Sequence, residues 1–142
     1  PETGICGCKL TNTQKETQKS DKEYPGLGIK FKNIFYTFIR RKNKEIFHTV
    51  EYEPEYLIGA CQMIRREVLD LTGLLDENIF YGPEDADFCI RVRNNGFKIV
   101  YLPQFSIIHH WKRVTNRKIF SKLACRHIQA LLYFYKKHHR YL

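Results

Sequence analysis

Three groups of residues in this chain carry chemistry by type and spacing. Glu84, Asp85 and Asp87 follow Gly82-Pro83 and fall in the first turn of a helix that Pro83 opens. Proline at the start of a helix and acids in its first turn suit the helix dipole, so a structural role accounts for the three as a group. Geometry separates them. At about 100° per residue, Asp85 shares a stripe with the apolar Phe88, Cys89 and Val92, whereas Asp87 lies opposite and can pair with Arg91 one turn on. Glu84 lies nearer that outward side. Asp85 alone is expected to face inward, either as a capping group or as a general base. Asp85-Ala86-Asp87 also has the spacing of a metal-binding DxD, but on a helix the two side chains diverge by about 200° and cannot share one ion.

The second group is Gly59-Ala60, small residues inside an apolar run from Tyr56 to Ile64 that reads as a buried strand. There they admit either a closely packed neighbouring element or a ligand approaching the backbone. The third is His109-His110, which closes a strand-like run from Phe105 and precedes Trp111-Lys112-Arg113. Adjacent rings on a strand face opposite sides, so at most one serves a given site. Neutral imidazole is the commonest metal ligand, although a lone histidine is more often structural. Trp111 can stack on a base or a sugar, or simply pack. Cys6 and Cys8 form a CxC pair that a strand would place on one face, but two further ligands at zinc spacing are not evident.

The elements that must position these groups alternate. Gly4 to Leu10 reads as a buried strand, Thr11 to Pro25 as a polar surface excursion, and Ile29 to Arg41 as an apolar, aromatic helix. Arg65 to Leu71 is a short helix stopped by Gly73, Asp76-Glu77-Asn78 is a turn, and the Pro83 helix ends at Asn95-Gly96. Phe97 to Leu102 is a strand closed by Pro103, and Phe105 to His109 is another. Arg117 to Lys137 is a long amphipathic helix with Phe120, Leu123, Ala124, Ile128, Leu131 and Tyr135 on its apolar stripe. Strands alternating with helices make the class α/β. At 142 residues the chain fits one modest core, and no apolar run is long enough to span a membrane. Five cysteines without ligand-like pairing point to a reducing compartment. From Lys112 to Leu142 there are nine Lys or Arg and no acid, which leaves residues 1–111 with fifteen charges of each sign. A neutral body with a basic tail suits a phosphate-bearing partner: nucleic acid, anionic lipid or a nucleotide diphosphate. A solvated helix face explains the tail equally well.

The segment YLIGACQMIRREVLDLTGLLDENIFYGPEDADFCIRVRNNGFKIVYLPQFSIIHH, Tyr56 to His110, resembles the second half of the bacterial glycosyltransferase family-two domain of the rhamnosyltransferase-like type, which has the GT-A fold. GACQMIRREV, GLLDENIFYGPEDADFCIRVRNNGFKIVYLP and the closing His carry the likeness. GICGCKLTN, the QKS run and YPGL upstream, and LLYFYKKHH downstream, are similar to further parts of that family. Gly-Pro stands where the family has Gly before its ED motif.

The resemblance implies a role for each matching residue. Asp85 matches the acid of the ED motif, the general base of inverting transfer. His109 or His110 matches the position that completes the shell of a divalent metal, Mg or Mn, near the donor diphosphate. Gly59 and Ala60 match the wall near the donor sugar. Lys112 and Arg113 fall in the segment that covers the diphosphate, and Glu84 and Trp111 join them as substrate-binding residues. The family's nucleotide-binding strand and its own DxD would lie upstream of Pro1. The chain is accordingly expected to be a partial, Rossmann-like GT-A domain lacking the N-terminal nucleotide-binding half, inactive in isolation. Residues 1–111 would form the acceptor-side half and 112–142 a basic amphipathic C-terminal helix. The implied parent is a cytoplasmic glycosyltransferase of cell-surface polysaccharide synthesis, peripheral at the inner face of the membrane. Its partners would be a nucleotide-sugar donor, a glycan or lipid-linked acceptor, an anionic membrane surface and a second copy of itself. The alternative is a non-catalytic module whose basic tail holds a partner or an anionic membrane. An aromatic share of 14% with a basic tail also raises nucleic-acid binding, but no such motif is present, so nucleic acid is not expected as a partner.

Overall fold

The computed structural model describes residues 2–26, 47–110 and 122–139. The helix expected over Ile29–Arg41 lies outside the described residues, as do Trp111, Lys112 and Arg113. The elements are β1 (Thr3–Thr11), β2 (Thr17–Gln18), β3 (Asp21–Lys22), β4 (Tyr56–Leu57), β5 (Met63–Ile64), α1 (Arg66–Thr72), α2 (Glu84–Asn94), β6 (Lys98–Ile108) and α3 (Lys122–Lys137).

β1 is the centre of the larger sheet. On one side it pairs in parallel with β6 along its whole length, from Thr3 opposite Lys98 to Thr11 opposite Ile108. On the other it pairs antiparallel with β5 near its start and with β2 near its end. β3 and β4 form a separate antiparallel pair. A parallel pair needs a crossover connection, and α1 and α2 lie on the path from β1 to β6. The result is the mixed α/β architecture that the alternating pattern implies. α2 lies against β4, β6 and α1. The core gathers Ile5 of β1, Leu57 of β4, Val68 of α1, Phe88, Ile90 and Val92 of α2 and Ile99 of β6. Ala130 and Phe134 of α3 belong to the same cluster.

Three strand expectations are corrected. Tyr56 to Ile64 is not one strand: β4 and β5 join different sheets, and Gly59-Ala60 form a turn between them. The close-packing role proposed for Gly59 falls instead to Gly7 of β1, where an added Cβ would sit 2.7 Å from the Cys61 carbonyl oxygen; at Gly59 it would meet open space. Phe97–Leu102 and Phe105–His109 are one strand. Pro103 interrupts the ladder without ending it, because the register slips between Leu102 and Ser106 while β1 continues from Cys8 to Lys9. The polar excursion after Thr11 carries β2 and β3, and Ser20 and Asp21 are buried.

The stripe of α3 is also rotated from the one expected. Ala130 and Phe134 are its buried positions, with His138 just beyond, whereas Ile128 is 57% exposed. The five cysteines carry no disulfide; Cys8 Sγ lies 3.5 Å from Cys61 Sγ. Among the described residues, no helix is long and apolar enough to cross a membrane.

Candidate active site

A cavity of about 560 Å³ opens where β1 and β6 finish, lined by residues of β2, β3, the Ile58–Ala60 turn, the start of α2, His109 and His127 of α3. Open α/β sheets bind ligands beyond the carboxyl ends of their parallel strands because the connecting loops diverge there. The β4–β5 turn brings Gly59 over the first turn of α2, and Asp85 joins the two. Its Oδ2 accepts the Gly59 N–H at 3.2 Å, and its Oδ1 accepts the Ala86 N–H at 2.9 Å. Burial, then repulsion from Glu84, pushes the Asp85 carboxyl up to about 6, against those two N–H groups and the charge of Lys22. An acid so placed titrates near neutrality and can take a proton from a hydroxyl.

The neighbours of Asp85 differ in chemistry on its two sides. Lys19, Lys22, Gln18, His109 and His127 share the polar cavity with it. A second cavity of about 730 Å³ also reaches Asp85 and Glu84, but Ile64, Leu69, Leu74, Leu75 and Phe88 give it an apolar wall. Glu84 turns back on the loop and accepts the Gly82 N–H at 2.9 Å.

Gly59, Ala60, Glu84, Asp85 and His109 are thus brought together around one cavity. His110 is exposed and is not among the residues lining that cavity; both histidines lie just past the end of β6. His109 continues the ladder, its N–H donating to the Thr11 carbonyl at 2.8 Å, and its Nδ1 lies 3.0 Å from Gln18 Oε1. Among the described residues, no three His, Cys, Asp or Glu side chains converge on a point that could hold a metal. The imidazole of His109 would supply one ligand and does not by itself fit a divalent ion.

The expectation that Asp87 faces outward is wrong. Asp87 is fully buried. His138 Nε2 donates to its Oδ1 at 2.7 Å, Lys137 Nζ lies 2.8 Å from the same oxygen, and Arg91 Nε donates to Oδ2 at 2.9 Å. Burial alone would raise this carboxyl, but the bonds from Lys137, His138 and Arg91 outweigh it and hold it below the usual carboxylate range. Lys137 also donates to Asp76 Oδ2 at 2.6 Å. The i,i+4 pairing with Arg91 was legible; Lys137 at the end of α3 and His138 just beyond it were not, because they come from a distant part of the chain.

His127, Tyr81, Lys19 and Lys22 were missed as cavity residues. The lysines sit in what reads as a solvated excursion, and no local pattern marks them. Gly82 carries a faint signal for His127. At φ +148°, it stands where an added Cβ would come within 2.8 Å of the His127 Nδ1.

No family model matches the chain. Curated relatives do. The N-acetylglucosaminyl-diphospho-decaprenol L-rhamnosyltransferase of Mycobacterium tuberculosis is 31% identical over 83 residues, 58% of this chain and 27% of that protein. The dTDP-rhamnosyl transferase RfbF of Shigella flexneri is 26% identical over 70 residues, 46% of this chain and 24% of its own length. The O-antigen biosynthesis protein RfbC of Myxococcus xanthus is 27% identical over 112 residues, 78% of this chain and 9% of that protein. The chain spans about a quarter of the length of the first of these relatives. As its motifs from Gly59 to His110 imply, the chain is rhamnosyltransferase-like, related to part of the length of such enzymes.

Proposed function

We propose that the chain is the acceptor-side part of a larger protein that transfers a sugar from a nucleotide-sugar donor to a hydroxyl of a glycan or lipid-linked acceptor in cell-surface polysaccharide synthesis, with inversion at the anomeric carbon and on a GT-A-like fold. The observation that carries the reading is Asp85: a carboxylate held by two backbone N–H groups, raised to about 6, at the edge of a polar cavity. In that role it accepts the acceptor's hydroxyl proton while the oxygen attacks the anomeric carbon. The bond from that carbon to the diphosphate breaks on the opposite face, and the diphosphate leaves with the electron pair. Lys19 and Lys22 bring positive charge to the same cavity, suited to that leaving group. A divalent ion would need ligands beyond the described residues, with His109 the residue placed to join them.

Nucleotide-sugar chemistry at the cytoplasmic face of a membrane also fits the outward side of α3. Lys122, Arg126 and Lys136 are exposed there beside Ile128 and Leu132, and the helix carries no acid.

The test is a transfer assay on the full-length parent protein with dTDP-rhamnose and a diphospholipid-linked N-acetylglucosamine acceptor, comparing wild type with Asp85→Asn. The amide should lower kcat by about 10²–10⁴-fold and leave donor affinity nearly unchanged. Full activity in Asp85→Asn, or a product that retains the donor's anomeric configuration, would exclude Asp85 as the base of an inverting reaction.

A further inference from the structure

We propose that His127 forms a hydroxyl-binding subsite for the acceptor sugar beside Asp85, with its Nε2 as the hydrogen-bond acceptor. The inference rests on the glycosyl-transfer reading and adds a residue to which no role has been assigned.

His127 stands on α3, far from Asp85 in sequence, yet it lines the same cavity. Its Nδ1 lies 3.1 Å from the Tyr81 carbonyl oxygen. A carbonyl has no proton to give, so the proton of that bond is on Nδ1. In the neutral ring Nε2 is then a bare lone pair. Two further features hold the ring in place. It meets the Tyr81 ring edge-on, at 6.0 Å and 69°. Gly82 leaves the room that a side chain would take, since an added Cβ would stand 2.8 Å from Nδ1 and 3.2 Å from Cε1. Among the described residues Nε2 has no hydrogen-bond partner. A polar atom left without a partner, on a ring that is fixed in place and lines a cavity, is prepared for a ligand.

The chemistry of that ligand follows from the lone pair. Phosphate oxygens are acceptors and would be repelled; their donors are Lys19 and Lys22 in the same cavity. A sugar hydroxyl can donate. Asp85 engages the hydroxyl that reacts, and a second hydroxyl of the same ring needs a partner once water is displaced. A site built to bond a hydroxyl rejects analogues lacking it, because its own polar atom is then left unpaired.

The test uses the full chain labelled with ¹⁵N-histidine, with methyl glycosides of N-acetylglucosamine and L-rhamnose as probes. Long-range ¹H–¹⁵N spectra should report His127 protonated on Nδ1, and a binding glycoside should move its Nε2 resonance. His127→Phe should weaken that glycoside by about tenfold, the scale of one neutral hydrogen bond. His127→Gln, which offers an amide oxygen, should recover part of the loss and shows that the cavity still folds. An Nε2-protonated ring, an Nε2 signal unmoved by a glycoside that binds elsewhere, no glycoside binding at all, or equal affinity in His127→Phe each overturns the subsite. Glycoside binding with the expected shift in a protein that transfers no sugar would support the subsite and remove the transfer reading. Transfer by a protein whose His127 does not respond would do the reverse.

Discussion

Replacing Asp85 with Asn should make the protein more stable at neutral pH even as it abolishes turnover. The carboxyl is held at about 6 against an ordinary 3.8. At 1.36 kcal/mol per pH unit, that difference corresponds to about 3 kcal/mol of destabilisation when the group is ionised in the folded chain. Because the folded value lies above the unfolded one, protonation favours the folded state. The penalty is absent below about pH 4, grows as the pH rises through 6 and is complete above it. Asn carries no charge to bury and keeps one oxygen for the Gly59 or Ala86 N–H, so part of the gain is returned by the bond it loses. A net stabilisation of about 1–3 kcal/mol at pH 7.5 is expected, shrinking towards zero at pH 4. Urea denaturation of the two proteins at pH 4, 6 and 7.5 measures it. A variant less stable than wild type at pH 7.5, or a difference that does not change with pH, would refute the claim that burial of the charge raises this group. The same titration bears on catalysis. A base with this property loses activity as pH falls through about 6, and the Asn variant should have no such limb.

Asp87→Asn should behave in the opposite way, costing about 3–5 kcal/mol at neutral pH, because it leaves Arg91 without its carboxylate and Lys137 with Asp76 alone. The contribution of Asp87 is present above its unfolded value and is lost as the pH falls into the acid range, since the folded carboxyl is held low. Denaturation of Asp87→Asn with a loss under about 1 kcal/mol would show that the cluster is not what anchors α3. Lys122→Glu, Arg126→Glu and Lys136→Glu together should remove binding to anionic vesicles, each basic residue near such a surface being worth about 1 kcal/mol. Co-sedimentation of wild type that is absent at low salt, or undiminished at high salt, would exclude an electrostatic membrane contact.

Local residues set the ends of the helices and the course of β1. Gly73 stops α1 and Asn95-Gly96 stops α2, as expected, because a helix end is a property of a few adjacent residues and their own backbone. The run from Gly4 to Leu10 is apolar enough to be buried, and it becomes the central strand. Helical spacing placed Asp85 inward, where the Gly59 and Ala86 N–H groups meet it, but it did not separate Asp85 from Asp87, which is the more deeply buried of the two. Spacing failed for Asp87 for a definite reason. A helical wheel assumes one buried stripe, but α2 is covered on several sides, with Ala86 through Ile90 all buried. Which acid faces a cation there depends on what packs against the helix, and the end of α3 and the residue after it supply Lys137 and His138 from the far end of the chain. The turn at Gly59 and the unbroken β6 were hidden for a related reason. A run of apolar residues looks the same whether one strand or two cross it, and only pairing with β1 on one side and β3 on the other divides Tyr56–Leu57 from Met63–Ile64. His127 is the extreme case. An isolated imidazole on an amphipathic helix carries no address, and it becomes a site residue only because tertiary packing seats α3 against the loop of Tyr81 and Gly82.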